Sequence, residues 1–487
     1  MLSWLNADRI ISRLILFCIL PMPKTKILCT IGPATWDKEI LKDIIKNGMA
    51  VARINGAFAD VTELDRVAKI IRSISKDVAL MLDIKGTEVR LNKFKESLII
   101  KKGDKVIIGS GREDKIYPVT YPDLYRDLKQ GDNLVIDDGK VKLTVVDIQD
   151  KKIHTKVVEG NEISPGKSIN TPGIALSNPA LTEIDKEQMK FAVKDNWDFV
   201  AASFVRSKKD IEAVKSELKG SLIKIFAKVE DAQGIENIDE IIDVADGIII
   251  ARGDLGVEIP FEKIPMIQKK IITKCLLKAK PVVVATHMLE SMIESPVATR
   301  AEINDVANAV FDGSDILWLS AESSKGKYPR EAVKTLKQVA IEAEKYVLPE
   351  ILDGEPEINP ITVALAKGVL DIARSLPIDK IVVATGSGKT ARIISSFRPK
   401  QPIIALTSNE TYKRQLNATW GVKAMVMETV ESDRDKAISK VVKKALEEKL
   451  VKKSDLILVV RGTTPSSQNT NSLEVGIVGE MINKLTD

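Results

Sequence analysis

At 487 residues the chain is too long for one ordinary domain, and two to four are expected. It is 44% hydrophobic and 29% charged, and its net charge of +5 is spread along the chain with no basic block or aromatic series; this argues against a nucleic-acid binder and reads as solubility plus a few anion-binding positions. Cys18, Cys29 and Cys275 are scattered without metal-ligand spacing, which favours a reducing compartment, and the two histidines, His154 and His287, exclude a histidine-rich metal site.

Residues 1–21 form a leader of odd texture. Positions 10–20 are apolar except for Ser12 and Arg13, and Pro21 follows. The stretch is too short to span a bilayer and has no small-residue cleavage site. From Met22 a basic start runs straight into a strand, MPKTKILCTIG, so the expectation is that Met22 is the true start and 1–21 a gene-model extension.

Eight apolar, β-branched runs follow, at 26–32, 49–55, 78–84, 199–205, 223–230, 247–253, 281–287 and 314–320. Helical periodicity follows most of them, for example at 37–47, 61–74, 208–218, 265–279 and 329–346. A spacing of about 25–35 residues suits βα units. Eight such units predict a (β/α)8 TIM barrel over 22–88 and 172–352, and the gap of about 115 residues after the third run predicts an insertion. The insert, 89–171, has short alternating runs at 98–108, 133–136, 141–148 and 153–158, with Asp138-Gly139 as a hairpin signal between two of them. It reads as a small all-β lid domain. From 353 to 487 the pattern restarts, with a helix at 362–375, strands at 380–385, 402–407, 423–427 and 455–460, and an antiparallel edge at 472–478. This predicts an open α/β domain.

Ligands and chemistry collect at the C-terminal ends of barrel strands. Those ends carry Thr30 and Pro33; Arg53 and Asn55; Asp83, Lys85 and Glu88, with Arg90 just beyond; Ser203 and Arg206; Lys228 and Glu230; Arg252, Gly253 and Asp254; Thr286 and His287; Ser320 and Glu322. Two carboxylates beside a lysine can hold a divalent metal against a phosphate. A ring of ordinary salt bridges is the plain alternative for any one of these residues; a whole set balanced in sign at one rim argues for function.

From Lys24 to its C-terminus the chain resembles the pyruvate kinase family. The resemblance rests on TKILCTIGPAT (25–35), GMAVARIN (48–55), LDIKGTEVR (82–90), KVED (228–231), ARGDLGVEIP (251–260), PVVVATHMLESM (281–292), the segment 296–333 and TGSGKTAR (385–392). The GSGK at 386–389 is not a full Walker motif. The resemblance implies phosphoryl transfer from phosphoenolpyruvate to ADP, giving pyruvate and ATP, in a cytoplasmic homotetramer with no nucleic-acid or membrane partner. It implies Mg²⁺ (or Mn²⁺) on Glu230 and Asp254, Lys228 bridging the phosphoryl group and the enolate, and Arg53 on the substrate phosphate. Gly253, Asp254, Ser203 and Thr286 are then substrate residues, Thr286 on the face where a proton arrives, with Ser320 and Glu322 in the proton-relay region. Arg90, Lys167, Asn55, Pro33 and Asp138 are implied for the nucleotide, Asn55, Asp83 and the Ile84 carbonyl for K⁺, and Thr385, Ser387, Lys389 and Thr390 for a phosphorylated allosteric effector.

The chain departs from the family pattern near the K⁺ ligands. Ala57 stands where a serine is usual, Gly56 and Phe58 replace Phe and His, and Glu88 keeps the carboxylate of potassium-dependent members. His287 replaces Gln, and Ala321 and Ser323 replace the Gly and Thr of an LSGET motif. Weakened K⁺ dependence is the expectation. Two other readings stay open: a barrel lyase or mutase with metal–enolate chemistry, which needs no lid, and a silent paralogue sensing metabolites through its C-terminal domain.

Overall fold

The structure, a computed structural model, describes residues 22–109, 116–347, 360–427, 434–461 and 472–483; the expected leader lies outside them. Strands β1 (Lys26–Thr30), β2 (Met49–Asn55) and β3 (Ala79–Ile84) begin a barrel. The insert then contributes β4 (Leu98–Ile99), β5 (Lys105–Gly109), β6 (Ile116–Tyr117), β7 (Asn133–Ile136), β8 (Val141–Gln149), β9 (Lys152–Glu159), β10 (Glu162–Ile163) and β11 (Ile169–Asn170). The barrel resumes with β12 (Phe199–Ala202), β13 (Lys224–Val229), β14 (Gly247–Ala251), β15 (Val282–Ala285) and β16 (Ile316–Leu319). It closes where β16 pairs parallel with β1, Lys26 opposite Ile316. Both faces of these strands are covered, which is why they read as continuous apolar runs rather than alternating ones.

The insert forms a six-stranded sheet in the order β11-β7-β8-β9-β5-β6 and a two-stranded piece, β10-β4, over its own core of Leu91, Val106, Leu134, Leu143 and Ile153. The expected run 98–108 is divided into β4 and β5. Asp104 accepts from the Lys101 N–H at 2.8 Å and Gly103 takes φ +95°, so a turn interrupts the apolar pattern. The Asp138-Gly139 hairpin is present between β7 and β8, with Asp137 and Asp138 both at positive φ. Two barrel helices lie outside the periodicities read from the sequence, Glu183–Lys194 and Arg300–Phe311; each opens on a threonine capping box, at Thr182 and Thr299.

Strands β17 (Lys380–Ala384), β18 (Ile403–Thr407), β19 (Val422–Val426), β20 (Leu456–Arg461) and β21 (Ser472–Ile477) form the C-terminal sheet, ordered β19-β18-β17-β20-β21, with β21 antiparallel as expected. Among the described residues no helix is long and apolar enough to cross a membrane.

The sheet's helices dock on the N-terminal face of the barrel through two buried aspartates. Asp198 accepts from Arg414 at 2.7 Å and from Arg72 at 3.0 Å. Asp315 pairs with Arg398 at 3.1 Å, and the Arg398 guanidinium lies 5.0 Å from the Trp420 ring centre. Burial pushes the Asp198 carboxyl up against the pull of both guanidiniums. Such a pair fixes geometry more than it adds stability, but breaking one is costly. Asp198→Asn is therefore expected to lower unfolding stability by about 3–5 kcal/mol, read as a shift of the urea midpoint. An unchanged midpoint would show that apolar contact alone docks the domain.

Candidate active site

Strand parity decides what reaches the rim. Leu28, Val51, Ala79, Met81, Phe199, Ala201, Phe226, Ile249 and Trp318 pack together inside the barrel. With a side-chain period of two, the next inward position beyond this core is Thr30 on β1, Arg53 on β2, Asp83 on β3, Ser203 after β12, Lys228 on β13 and Ser320 after β16. Inside a barrel these positions crowd one another, and polar groups there must pair.

They pair on Asp83, which is 1% exposed. Arg53 donates to it through Nε at 2.9 Å and through Nη2. Lys228 Nζ lies 3.4 Å from the other carboxylate oxygen, 2.8 Å from Glu230 and 2.9 Å from the Ser203 hydroxyl, to which it donates. Ser203 itself donates to the Ile84 carbonyl at 2.8 Å. Burial opposes ionisation of Asp83, yet the Arg53 and Lys228 charges hold its carboxyl below the ordinary range. Burial likewise opposes the charge on Lys228, and Asp83, Glu230 and Asp254 together raise its pKa despite it. Lys228 is thus a permanent cation.

Glu230 and Asp254 are the opposite case. Burial raises both carboxyls against the pull of Lys228 on each; Asp254 adds to the rise at Glu230, and Glu88 and Asp138 add to it at Asp254. Two carboxylates that one lysine does not fully offset suit a divalent cation. Among the described residues no cluster of three or more metal-ligating side chains exists, so an ion held here would need water and substrate oxygens as further ligands, a demand that Mg²⁺ tolerates. The donor set fits that metal.

The strands end earlier than their apolar runs, and the tails are bent into the site. The expected run 199–205 leaves the sheet after Ala202; Phe204 takes φ +51°, and its N–H donates to Glu230 at 2.7 Å. The run 281–287 leaves after Ala285, with Thr286 at φ +68° and His287 at φ +53°. A β-branched residue there is strained. Thr286 Oγ1 accepts the Gly253 N–H at 2.7 Å and donates to the Ala285 carbonyl at 2.6 Å. Glu322 accepts the Leu289 and Ser320 N–H groups at 3.1 and 2.8 Å, and burial raises its carboxyl.

The lid leans over this rim. Arg90 donates to Glu88 at 2.6 Å and to the Gly166 carbonyl at 2.9 Å; Lys167 pairs with Asp137, not Asp138, at 2.8 Å. Asp138 is close enough to Asp254 for its charge to be felt there. Entry to the lid passes Gly86, at φ +64°, where a Cβ would meet the Ser203 carbonyl at 3.1 Å. Asn170 of β11 donates to Glu258 at 2.9 Å, tying the lid's return to the helix Arg252–Glu258.

Asn55 and Asp83 are register partners on β2 and β3, but Asn55 Oδ1 accepts the Ala57 N–H at 3.0 Å and the Asp83 carbonyl accepts the Gly56 N–H at 2.8 Å. Pro33 opens a short turn just past β1, at the same rim. Thr385 and Ser387 lie far from it in the fold, in the turn between β17 and the helix Lys389–Ser396, and Lys389 and Thr390 open that helix. The sheet order reverses at β17, and crevices at such switch points take ligands. Sequence reading missed the support under Arg53. Trp318 lies 5.0 Å from the guanidinium and donates Nε1–H to Thr30 at 2.9 Å. Only the parity of β16 signals it.

A family model described as pyruvate kinase, barrel domain, matches residues 22–333, and one described as pyruvate kinase, alpha/beta domain, matches 363–476. Curated pyruvate kinases of Staphylococcus aureus strains MRSA252 and USA300 are each 40% identical over 478 residues, covering 95% of this chain and 81% of theirs. The crystal structure of a pyruvate kinase from Cryptosporidium parvum superposes with TM-score 0.87 at 34% identity, covering 94% of this chain and 98% of that one.

The lid contact is pH-sensitive. Burial pushes Glu258 from 4.5 up to about 7, with Asn170 partly offsetting it. A carboxyl whose folded pKa is raised contributes stability that is complete below 4.5, falls as pH rises and is gone above about 7. Glu258→Gln should therefore flatten the fall of melting temperature across that window and leave the variant more stable than the parent at pH 8. Parallel curves for the two proteins would place Glu258 in water.

Proposed function

Since the chain belongs to the pyruvate kinase family, we propose which of its residues carry the reaction. The reaction itself is transfer of the phosphoryl group from phosphoenolpyruvate to ADP, yielding pyruvate and ATP, the last step of glycolysis. The observation that carries the assignment is Lys228 Nζ held between Asp83, Glu230 and the Ser203 hydroxyl.

In this reading Arg53, fixed by Asp83 and backed by Trp318, holds the phosphate of phosphoenolpyruvate. Lys228 sits between that phosphate and the enol oxygen and stabilises charge on both as the bond between them loosens. Glu230 and Asp254 would hold Mg²⁺ or Mn²⁺, which when bound supplies further neutralisation of phosphoryl and enolate charge. Gly253 and Asp254 would offer backbone N–H groups to the substrate carboxylate, for which the Gly253 N–H has to leave Thr286 Oγ1. Ser203 keeps the lysine aimed. Thr286, with Ser320 and Glu322 behind it, serves the face on which the enolate is protonated. Arg90, Lys167, Asn55, Pro33 and Asp138 receive the nucleotide as the lid approaches. The Asp137–Lys167 pair would have to open for Lys167 to reach a phosphate.

The same reading assigns the barrel to 22–88 and 172–352, the lid to 89–171 and a regulatory domain to 353–487. It extends to a cytoplasmic homotetramer and to a phosphorylated effector on Thr385, Ser387, Lys389 and Thr390. Support for the effector loop is its place at the switch point, with Gly388 at φ +82° opening the helix and its N–H donating to Thr385.

The deciding assay is pyruvate formation from phosphoenolpyruvate and ADP, coupled to NADH oxidation. Lys228→Met should lower kcat by about three to five orders of magnitude. The variant also leaves Asp83 and Glu230 poorly balanced, so a lower melting temperature is expected, and circular dichroism checks that it is folded at assay temperature. Turnover within tenfold of the parent would remove Lys228 from the chemistry.

K⁺ would have to take Asn55, Asp83 and the Ile84 carbonyl from the partners they already have, without a serine hydroxyl at Ala57. Activation by K⁺ should therefore be absent or need high concentration. Ala57→Ser is expected to shift the curve of initial rate against KCl, at constant ionic strength with a bulky organic cation, to lower K⁺. Saturation of the parent at low millimolar K⁺ would contradict this.

A further inference from the structure

On the barrel's N-terminal face, opposite the rim, a cavity of about 180 Å³ lies between the barrel and the C-terminal domain. Its wall includes Lys224 at the start of β13, Lys280 just before β15, and Arg392 and Lys389 from the helix Lys389–Ser396. Phe199 and Phe226, edge to face with ring centres 5.2 Å apart, form an apolar side. The wall has one carboxylate, Asp246, and Lys224 holds it at 3.0 Å. Lys278, also in the wall, is matched by Asp243 at 2.7 Å.

The other cations are not matched. Lys280 Nζ donates to the carbonyls of Ala245 at 2.6 Å and Asp243 at 3.5 Å. Arg392 donates to the Ser387 carbonyl at 3.3 Å. Neither has a carboxylate within ion-pair distance among the described residues. Burial lowers the pKa of both, outweighing the attraction of Asp246 that each feels; at Lys280 the nearby charges of Lys215, Arg392 and Lys224 lower it further. Like charges gathered in a half-buried cavity cost stability unless an anion joins them. The N-terminal face of a barrel normally serves stability, and apolar packing would do that better.

We propose that this cavity binds a small phosphate monoester, its phosphate between Lys280 of the barrel and Arg392 of the C-terminal domain, with Lys389 at the mouth. A dianion with three terminal oxygens matches point-charge and forked donors together. The volume, below the 300–1,000 Å³ of drug-sized sites, limits the rest of the ligand to a short carbon chain against Phe199 and Phe226. One ligand bridging both domains would tighten their docking. The site borders the effector loop, sharing Lys389 with it and touching the Ser387 carbonyl through Arg392, but its decisive residues, Lys280 and Arg392, do not belong to that loop.

The test measures melting temperature and calorimetric binding against glycerol 3-phosphate, inorganic phosphate and succinate, with pyruvate and Mg²⁺ present so that the rim is filled by a ligand that carries no phosphate. Lys280→Gln and Arg392→Gln keep a donor for the carbonyls but lose the charge. Saturable binding of glycerol 3-phosphate, tighter than of inorganic phosphate or succinate, is expected, with roughly tenfold or greater loss in each variant. Without anion, neither variant should melt below the parent, since each relieves repulsion; a structural role would lower both. Binding in the variants equal to the parent's, or no saturable binding to the parent at low millimolar ligand, would overturn the proposal.

Discussion

Asp83 is the carboxylate on which the rim is built. It is buried, ionised and shared by a guanidinium from the adjacent strand β2 and an ammonium from β13, two strands away. Taking three charges out of water is affordable only because they meet one another and the Ser203 hydroxyl with little surplus. Their meeting depends on register. Arg53, Asp83 and Lys228 each lie one inward position beyond an apolar residue of the barrel interior, Val51, Met81 and Phe226 respectively. A shift of one residue in β2, β3 or β13 would send a charge into the helix layer and an aliphatic into the site. The apolar interior and the charged rim therefore specify each other.

Around that fixed centre the backbone is bent where chemistry needs it. Phe204 and Thr286 leave their strands through left-handed conformations that neither side chain favours. The first turn delivers an N–H to Glu230, the second places a hydroxyl against the Gly253 N–H. Both lie beside the carboxylates least satisfied by the protein alone, and their strain is held by the packed barrel below. The lid adds Asp138, whose negative charge raises the demand for a cation at Asp254.

Much of this was legible in the sequence, because β-branched runs, their spacing and the period of two are local signals. They carried the eight barrel strands, the insertion, the open C-terminal sheet with its antiparallel edge, and the charged residues at the strand ends. What escaped was non-local. Trp318 under Arg53, the Asp198 and Asp315 docking pairs, and the gathering of Lys280 with Arg392 join residues far apart in the chain. The early ends of β12 and β15 escaped because Phe204 and Thr286 are strong β-formers whose tertiary setting overrides propensity. The division of 98–108 was a turn signal, Lys101 to Asp104, hidden in an apolar stretch.

The account makes the carboxylates the metal's ligands and the lysine the substrate's cation, and these roles respond oppositely to mutation. The direct test is Mn²⁺ affinity, by electron paramagnetic resonance, in the parent, Glu230→Gln and Lys228→Met, without substrate. Glu230→Gln should weaken binding, since it removes a charge that offsets dehydration of the ion. Lys228→Met should leave it unchanged or tighter, since it removes a competing cation 2.8 Å from Glu230. Equal weakening in both variants would contradict the account, because it would make Lys228 a prop for the carboxylates rather than a partner of the substrate.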